Sequence, residues 1–576
     1  MRRQLIVSGA ALALLAGTGL AALSAPAGAS TPAGTLVTNG SPSTPFPQNK
    51  QNEPGLAVDP LDPQMVVAGS NDEIDLGPCQ SNSCPFTPGV GVSGLYFSTD
   101  GGSSWAQPTY TGYSDRNGTP GSGNIGTVPN FYEAGLVSGG DPELAFGPQP
   151  DGHGGFTYGT TTKKVRLYYA SLASNFPGTS ATKGFEAVTV SHTDDLAAAT
   201  RGVNSAWSPP VIESKQNAAL FSDKDSITAD NATSSPHFGN VYVCNVGFRG
   251  KGAGAPEPVL VGRSTDGGTS FTTQQVSAAT DNNQTGGRQG CALRTTSDGR
   301  VLLVYSGYSK QLNSNVFYQQ ISTDAGQTFS RPTVVAVTAG IGQFDPVQGR
   351  STIDGVAGSR TDVFPSLDVA NGAPFGGKSA TNEIVLAWAD NRAGTPVKPN
   401  QEKAYLAYST NGGRSYSDPA AVSDPTQGRA NQPAVAIAPN GTAIYLAYNA
   451  YQDPWQSTTS TARMMNGVVR QASVTDGVPG AFTTVGTGAA GDARGSSANI
   501  LAFEFLGDYN YVAATNSGAV AVLNDVRNAA DCPAVDAYRQ SLASGNPIAK
   551  PAPGTECLAN FGNSDIYSYV MSAPTS

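Results

Sequence analysis

The stretch FSTDGGSSWAQ, residues 97–107, sets Asp100, Gly101 and Gly102 where a tight reversal between two strands needs them. The phrase returns as RSTDGGTSF at 263–271, ISTDAGQTF at 321–329 and YSTNGGRSY at 408–416. A turn open to any residues has no reason to keep one spelling, so the recurrence predicts a repeating architecture.

Working outward from these turns, each follows a second recurring unit: a short apolar strand, a Gly/Asn/Asp turn, and another apolar strand. Seven copies align by eye, at 52–72, 140–164, 223–250, 288–310, 362–392, 431–453 and 507–527. Each pair leads to a third strand such as GLYFS, PVLVGRS or KAYLAYS, then the Asp-Gly turn, then a fourth. Four antiparallel strands per unit that bury their faces only against neighbouring units predict an all-β fold, a β-propeller of seven four-stranded blades, with six as the alternative. One short helix is expected at 536–545. The last unit has its third strand at 564–572 and no visible fourth, and GTLVTNG at 34–40 is the candidate to supply it and close the ring.

Residues 1–29 have the form of a secretory leader, two arginines and an apolar run ending in Ala27-Gly28-Ala29, so the mature chain is expected outside the cell. The remaining domains are a segment 30–50, holding the candidate closing strand, and the propeller 51–576 with an excursion at 528–560. Only 13% of the 576 residues are charged, the net charge is −10, and 69 Gly and 40 Pro make the chain turn-rich. An acidic chain with no basic runs argues against nucleic acid or an anionic membrane as partner, and a monomer is expected.

Six cysteines in an exported chain read as three disulfides: Cys79 with Cys84, Cys532 with Cys557, and Cys244 with Cys291 as a bridge between neighbouring repeats. Their spacing is not that of zinc ligands, and His153, His192 and His237 stand isolated, so no metal is expected there.

The phrase Ser-x-Asp-x-Gly-x-x-Trp/Phe/Tyr, four times repeated, resembles the Asp-box, or bacterial neuraminidase repeat, of the sialidase superfamily. The resemblance implies a sialidase-like propeller in which Asp100, Asp266, Asp324 and the substituted Asn411 hold turns through backbone hydrogen bonds. It further implies glycoside hydrolysis by a Tyr nucleophile with a Glu partner, an Asp acid/base and an arginine triad for the sugar carboxylate. This chain lacks the family's Arg-Ile-Pro motif and has Asn52-Glu53-Pro54 near where its first arginine belongs.

In such a blade the start of strand one and the end of strand two share a face, and the Asp-box turns lie at the opposite one. The column at the strand-one starts reads Glu53, Asp141, Lys224, Gln289, Phe364, Gln432 and Asp508, with Asp223, Asp225, Arg288 and Asp362 close by. The strand-two ends carry Asp72, Arg249, Lys310, Arg392, Gln452 and Arg527. Carboxyls converging on a funnel raise one another's pKa and divide into acid and base. Glu53, Asp141, Asp508 and Tyr509 are therefore the candidate catalytic residues, and Asp72, Arg249, Arg288, Asp362, Arg392 and Arg527 the candidate substrate-binding residues. Three other roles compete: the acids pair with arginines or cap backbone N–H groups, they bind Ca²⁺, or Tyr509 is a packing residue. The expected function is an exo-acting, exo-α-sialidase-like glycoside hydrolase, against a non-catalytic propeller that binds carbohydrate or protein.

Overall fold

A computed structural model describes residues 33–575 apart from 45, 80–81, 160–164, 215–216, 219, 250–256, 279–287, 357–359 and 503–504; the side chains of Leu220, Arg249 and Lys378 are likewise not described. The expected leader lies outside the described residues. The chain forms seven antiparallel blades in a ring. Blade 1 is Gln51–Val58, Val66–Asp72 and Ser93–Ser98, its outer strand reduced to the pairing of Ala106 with Phe97. Blade 2 is Leu136–Pro150, Val165–Asn175, Ala187–Thr193 and Val211–Ile212. Blade 3 is Leu220–Ala229, Val241–Arg249, Val259–Ser264 and Thr272–Gln275. Blade 4 is Gln289–Thr295, Val301–Ser309, Ser314–Ser322 and Thr333–Thr338.

Blade 5 is Ser366–Val369, Ile384–Asp390, Lys403–Ser409 and Ala420–Ala421. Blade 6 is Arg429–Ile437, Ala443–Tyr451, Met464–Thr475 and Thr483–Thr487. Blade 7 is Tyr511–Thr515, Gly518–Asp525 and Asp565–Ser572, and its outer strand is Thr35–Leu36, which pairs antiparallel with Ser568 and Tyr567. The ring is thus fastened by both ends of the described chain, and no edge is left open at the seam.

Alternation along the strands explains why the blades stack. Successive side chains point to opposite faces, so in the second strand of blade 2 Leu167 and Tyr169 enter the core shared with blade 1, while Tyr168 and Ala170 enter the core shared with blade 3. Every other interface repeats this, ending with Val520, Val522 and Ile566 of blade 7 against Leu56, Val66, Tyr96 and Trp105 of blade 1. The three expected disulfides are present. Cys244–Cys291 staples the second strand of blade 3 to the first of blade 4, and Cys532–Cys557 closes the last excursion around the helix Pro533–Ala543. Among the described residues no helix is long and apolar enough to cross a membrane.

The repeated turns share one geometry. Asp100 Oδ1 accepts from Ser98 Oγ and Ser104 N, each at 2.8 Å, and Oδ2 from Ser104 Oγ at 2.6 Å. Asp266 and Asp324 repeat these bonds, and Asn411 accepts from Ser415 N at 3.0 Å while donating to Ser415 Oγ at 2.7 Å. These turns lie at the face of the strand-one to strand-two loops, since Gly101 N donates to Gln64 O at 2.9 Å.

Candidate functional site

At the other face, the first strands open onto the central channel through a repeated distortion. Strand register slips between Asn52 and Gly55, Gly140 and Glu143, Asp223 and Ser226, Gln289 and Cys291, and Asn431 and Ala434. At each slip one residue takes a left-handed backbone: Glu53 (φ 54°), Asp141 (47°), Lys224 (57°), Gly290 (49°) and Gln432 (51°). The blade 4 position is therefore Gly290, one residue beyond the Gln289 of the aligned column. A non-glycine residue held there costs on the order of 1 kcal/mol or more, and persists only where its surroundings over-determine it.

Asparagines of neighbouring blades hold the strained residues. Asn524 Oδ1, on the second strand of blade 7, accepts Glu53 N at 3.1 Å, and Asn71 Oδ1, on the second strand of blade 1, accepts Asp141 N at 2.6 Å. Asn71 Nδ2 also donates to Glu53 Oε2 at 2.5 Å. Gly507 makes room: a Cβ there would stand 2.3 Å from Glu53 Cγ.

The outcome is a buried charge cluster drawn from four blades and one connection. Lys224 Nζ lies 2.7 Å from Asp508 Oδ2, 3.2 Å from Asp141 Oδ2 and 3.2 Å from Asp223 Oδ1, and Arg360 Nη1 lies 2.9 Å from Asp508 Oδ2. Glu53 is 2% exposed, Asp508 4%, Asp141 6% and Lys224 8%. Burial, and the charges of Asp141 and Asp508, push Glu53 well above the usual carboxyl range. Asp141 is held below it, against its burial, by Lys224 and by a hydrogen bond with Glu53. The two carboxyls are thus pushed in opposite directions, Glu53 toward its neutral form and Asp141 toward its charged one. Burial, then Asp141 and Glu53, push the Tyr509 phenol well up.

Below the cluster is a cavity of about 100 Å³ whose wall includes Lys224, Asp225, Asp508 and Tyr509. Glu53 and Asp141 stand behind this wall. A second cavity of about 400 Å³ opens at the opposite face, and both are bounded by Arg294, Tyr511 and Val512. Arg294 there bonds Asp368 Oδ1 at 3.2 Å and Tyr511 Oη at 3.1 Å, a polar floor across the channel. Glu143, also on the wall, is pushed up to about 8 by burial.

The sequence-predicted residues divide sharply. Glu53, Asp141, Asp508 and Tyr509 come together, and Asp362 stands exposed at the cavity rim. The strand-two ends do not join them. Asp72 is spent inside blade 1, accepting from Ile74 N at 3.0 Å, Tyr96 Oη at 2.6 Å, Gln51 Nε2 at 3.0 Å and Gln107 Nε2 at 2.7 Å. Arg392 is paired with Asp390 at 2.7 Å and stacked on Tyr405, 4.7 Å from the ring centre. Arg527 grips both oxygens of Asp525, at 2.9 and 2.7 Å, and lies 3.8 Å from the centre of the Tyr567 ring. Arg288 is buried over Tyr318, and the Arg249 side chain lies outside the described residues. Sequence reasoning passed over Lys224 as a working residue, and missed Arg360, Glu143, Arg294 and Tyr511. The last three lie on inner strands, where alternation could have marked them; Arg360 lies in a connection with no repeat to signal it. Among the described residues no group of three His, Cys, Asp or Glu side chains is arranged to hold a metal ion.

No family model matches the chain, and no curated protein matches it. Among solved structures it is similar to a protein of unknown function from Dyadobacter fermentans, with 13% identity over 75% of this chain and 94% of that one and a TM-score of 0.38. It is also similar to an α-L-arabinofuranosidase from Fusarium graminearum in complex with an iminosugar inhibitor, with 10% identity over 81% and 97% and a TM-score of 0.40. A Hadza microbial sialidase is similar at 11% identity over 79% and 73%, with a TM-score of 0.37. Scores this low bear on neither substrate nor mechanism, which have to come from the residues of the channel mouth.

Proposed function

We propose that the protein is an extracellular, sialidase-like propeller that hydrolyses the terminal glycosidic bond of a glycan, with Tyr509 as nucleophile and the Glu53–Asp141 pair as its proton acceptor. One observation carries this reading: Tyr509 stands on the wall of a floored cavity, with the buried carboxyls of Asp141 and Glu53 among the charges acting on its phenol. A phenol is a weak nucleophile at its own pKa and needs an adjacent base. The pair meets that need, since ionised Asp141 takes the phenolic proton as the phenol oxygen bonds to the anomeric carbon. Neither carboxyl lines the cavity, so the two do not flank a sugar ring from opposite sides and act together on the tyrosine side.

The polar floor at Arg294 and Tyr511 makes the upper cavity blind, which suits a chain end and supports exo action. Asp508, fixed by Lys224 and Arg360, shapes the mouth, and Asp362 at the rim is the remaining candidate to meet substrate. Arg392 and Arg527 are already consumed, so an arginine triad for a sugar carboxylate is not part of the proposal. Three disulfides support an oxidising, extracellular setting. No metal or cofactor is invoked, and the protein is taken to act as a monomer.

The test is a screen of chromogenic glycosides, sialosides included, against the wild type, Tyr509→Phe and Glu53→Gln. Turnover of one sugar is expected, with Tyr509→Phe lowering kcat by at least about 10³-fold and Glu53→Gln by about 10²-fold, both at unchanged Tm. The burial and mutual neutralisation of Lys224, Asp141 and Asp508 favour a second reading, a non-catalytic glycan-binding propeller. Saturable binding of a glycan with no turnover in the same screen would establish it.

A further inference from the structure

Around much of the channel mouth the strained position carries a charged or amide side chain, Glu53, Asp141, Lys224 or Gln432. Blade 4 breaks the pattern. Its strained residue is Gly290, where a Cβ would stand 2.2 Å from Phe364 Cδ1, so the ring of Phe364 fills the place of a blade 4 side chain. Asp362, Val363 and Phe364 belong to the wall of the mouth cavity and also to the wall of a third cavity, of about 370 Å³, between blade 4 and the connection that enters blade 5.

Strand period explains why this third cavity is polar. Leu302 and Val304 point into the core shared by blades 4 and 5, and Ser306 and Tyr308 continue the same face of that strand. The first strand of blade 5 begins only at Ser366, so what these two residues face is the connection 361–364 and not a strand. Across the sheet Gln289 is the register partner of Ser306, and Asn315 that of Tyr308, which puts all four side chains on one face. Ser306 Oγ donates to Gln289 O, and Tyr308 Oη donates to Asn313 Oδ1 at 2.5 Å, which fixes the Tyr308 ring. The side-chain amides of Gln289 and Asn315 bond no other described residue.

Flat rings beside unoccupied amides are suited to a sugar. The C–H bonds on one face of a sugar ring carry positive partial charge and rest on the negative face of an aromatic ring, while amides bond the hydroxyls at its edge. The described lining includes two acids, Glu257 and Asp362, and neither Lys nor Arg. Arg288 lies over Tyr318, on the face of blade 4 turned toward blade 3. An anionic sugar would therefore meet no counter-charge in this cavity.

We infer that the third cavity is a second sugar subsite, which takes a neutral unit on the far side of the bond to be cleaved. This rests on the hydrolase reading proposed above. The terminal unit occupies the blind mouth cavity beside Tyr509, and the chain leaves it over Phe364, where Gly290 puts no side chain in the way. The substrate class is then an oligosaccharide or polysaccharide whose second unit is neutral, in preference to a glycoside with a small aglycone. Contacts to the second unit help to hold the reacting bond in place at Tyr509.

The test takes the sugar that the glycoside screen identifies and prepares it as its glycosyl fluoride and as disaccharides joined to glucose or to glucuronic acid at O2, O3 or O4. Fluoride is too small to reach past Phe364, whereas a second sugar fills the subsite. The wild type is compared with Tyr308→Ala/Asn315→Ala, neither residue being part of the mouth cavity. The double variant is expected to lower kcat/KM for the best glucose disaccharide by about 10–10²-fold, and for the fluoride by less than about threefold. The wild type is expected to prefer that disaccharide to its glucuronic acid counterpart by at least about tenfold. Should the double variant lose Tm, Asn315→Ala alone carries the comparison, with a loss of about three- to tenfold on the disaccharide.

Equal loss on both substrates at wild-type Tm overturns the subsite, as does no loss on either, or a wild type that turns over the fluoride and no disaccharide. In those cases the hydrolase reading stands, because the wild type turns over. A preference for the glucuronic acid series overturns the neutral second unit. If the screen identifies no sugar, the hydrolase reading fails and the subsite fails with it.

Discussion

Lys224 Nζ of blade 3 lies 2.7 Å from Asp508 Oδ2 of blade 7, an ion pair that ties together blades separated in the ring by blades 1 and 2. The same ammonium meets Asp141 of blade 2. Removing one partner of a buried pair leaves an uncompensated charge, which costs about 3–5 kcal/mol. Lys224→Met is expected to lower the chemical-denaturation midpoint accordingly, and Lys224→Met with Asp508→Asn to recover part of the loss. A double variant no more stable than the single one would show that the two groups are not energetically linked.

Arg527 is expected to matter for stability and not for substrate. Its fork on Asp525, its contact with Tyr567 and its 2.7 Å bond to Ala33 O lock the end of a blade 7 strand to the segment carrying the closing strand. Lysine cannot reproduce a planar two-pronged contact, so Arg527→Lys should destabilise by about 1–3 kcal/mol and leave KM unchanged. A raised KM at wild-type Tm would return the arginine to the substrate-binding role expected from sequence.

Glu213 offers a test of pH dependence away from the channel. It is buried, with Asn245 Nδ2 at 3.1 Å and Thr273 as its polar neighbours, and burial raises it from 4.5 to about 8. A carboxyl whose pKa rises on folding contributes stability that is fully present below its unfolded value and is lost as pH climbs through the folded one. Tm measured from pH 4 to pH 9 is expected to fall across the window from about 4.5 to about 8, and Glu213→Gln to flatten part of that fall. An unchanged profile in the variant would mean that Glu213 is ionised in the folded protein.

The repeated turns should be structural and separable from function. Asp100→Ala removes the acceptor of Ser104 N and Ser98 Oγ and is expected to cost about 1 kcal/mol, as loss of a capping side chain does. Asn411→Asp retains the acceptor geometry and should cost less. Neither should alter kcat/KM, because the turns lie at the face opposite the channel mouth; a kinetic effect at unchanged stability would contradict that placement.

Much of the architecture could be read from one chain because turns and strands are local. Ser98, Asp100 and Gly102 make their contacts within a few residues, and alternation such as Leu167, Tyr168, Tyr169 and Ala170 needs only the strand period, so repetition sufficed to indicate the ring. The Asp-x-Arg spellings at Asp390–Arg392 and Asp525–Arg527 are also local, but the sequence reading assigned both arginines to substrate and passed over the partners two residues away.

The channel mouth was legible only in part. The column Glu53, Asp141 and Asp508 could be aligned, since each opens a strand. That Glu53 is pushed up and Asp141 down, that Arg360 arrives from a connection outside the repeats, and that Asp225 finds no partner depend on which groups the closed ring removes from water. Turn chemistry and strand period are written along the backbone and survive translation from one chain to the next blade. Desolvation and charge pairing are properties of neighbours hundreds of residues apart, and they come into being when the blades meet around the axis.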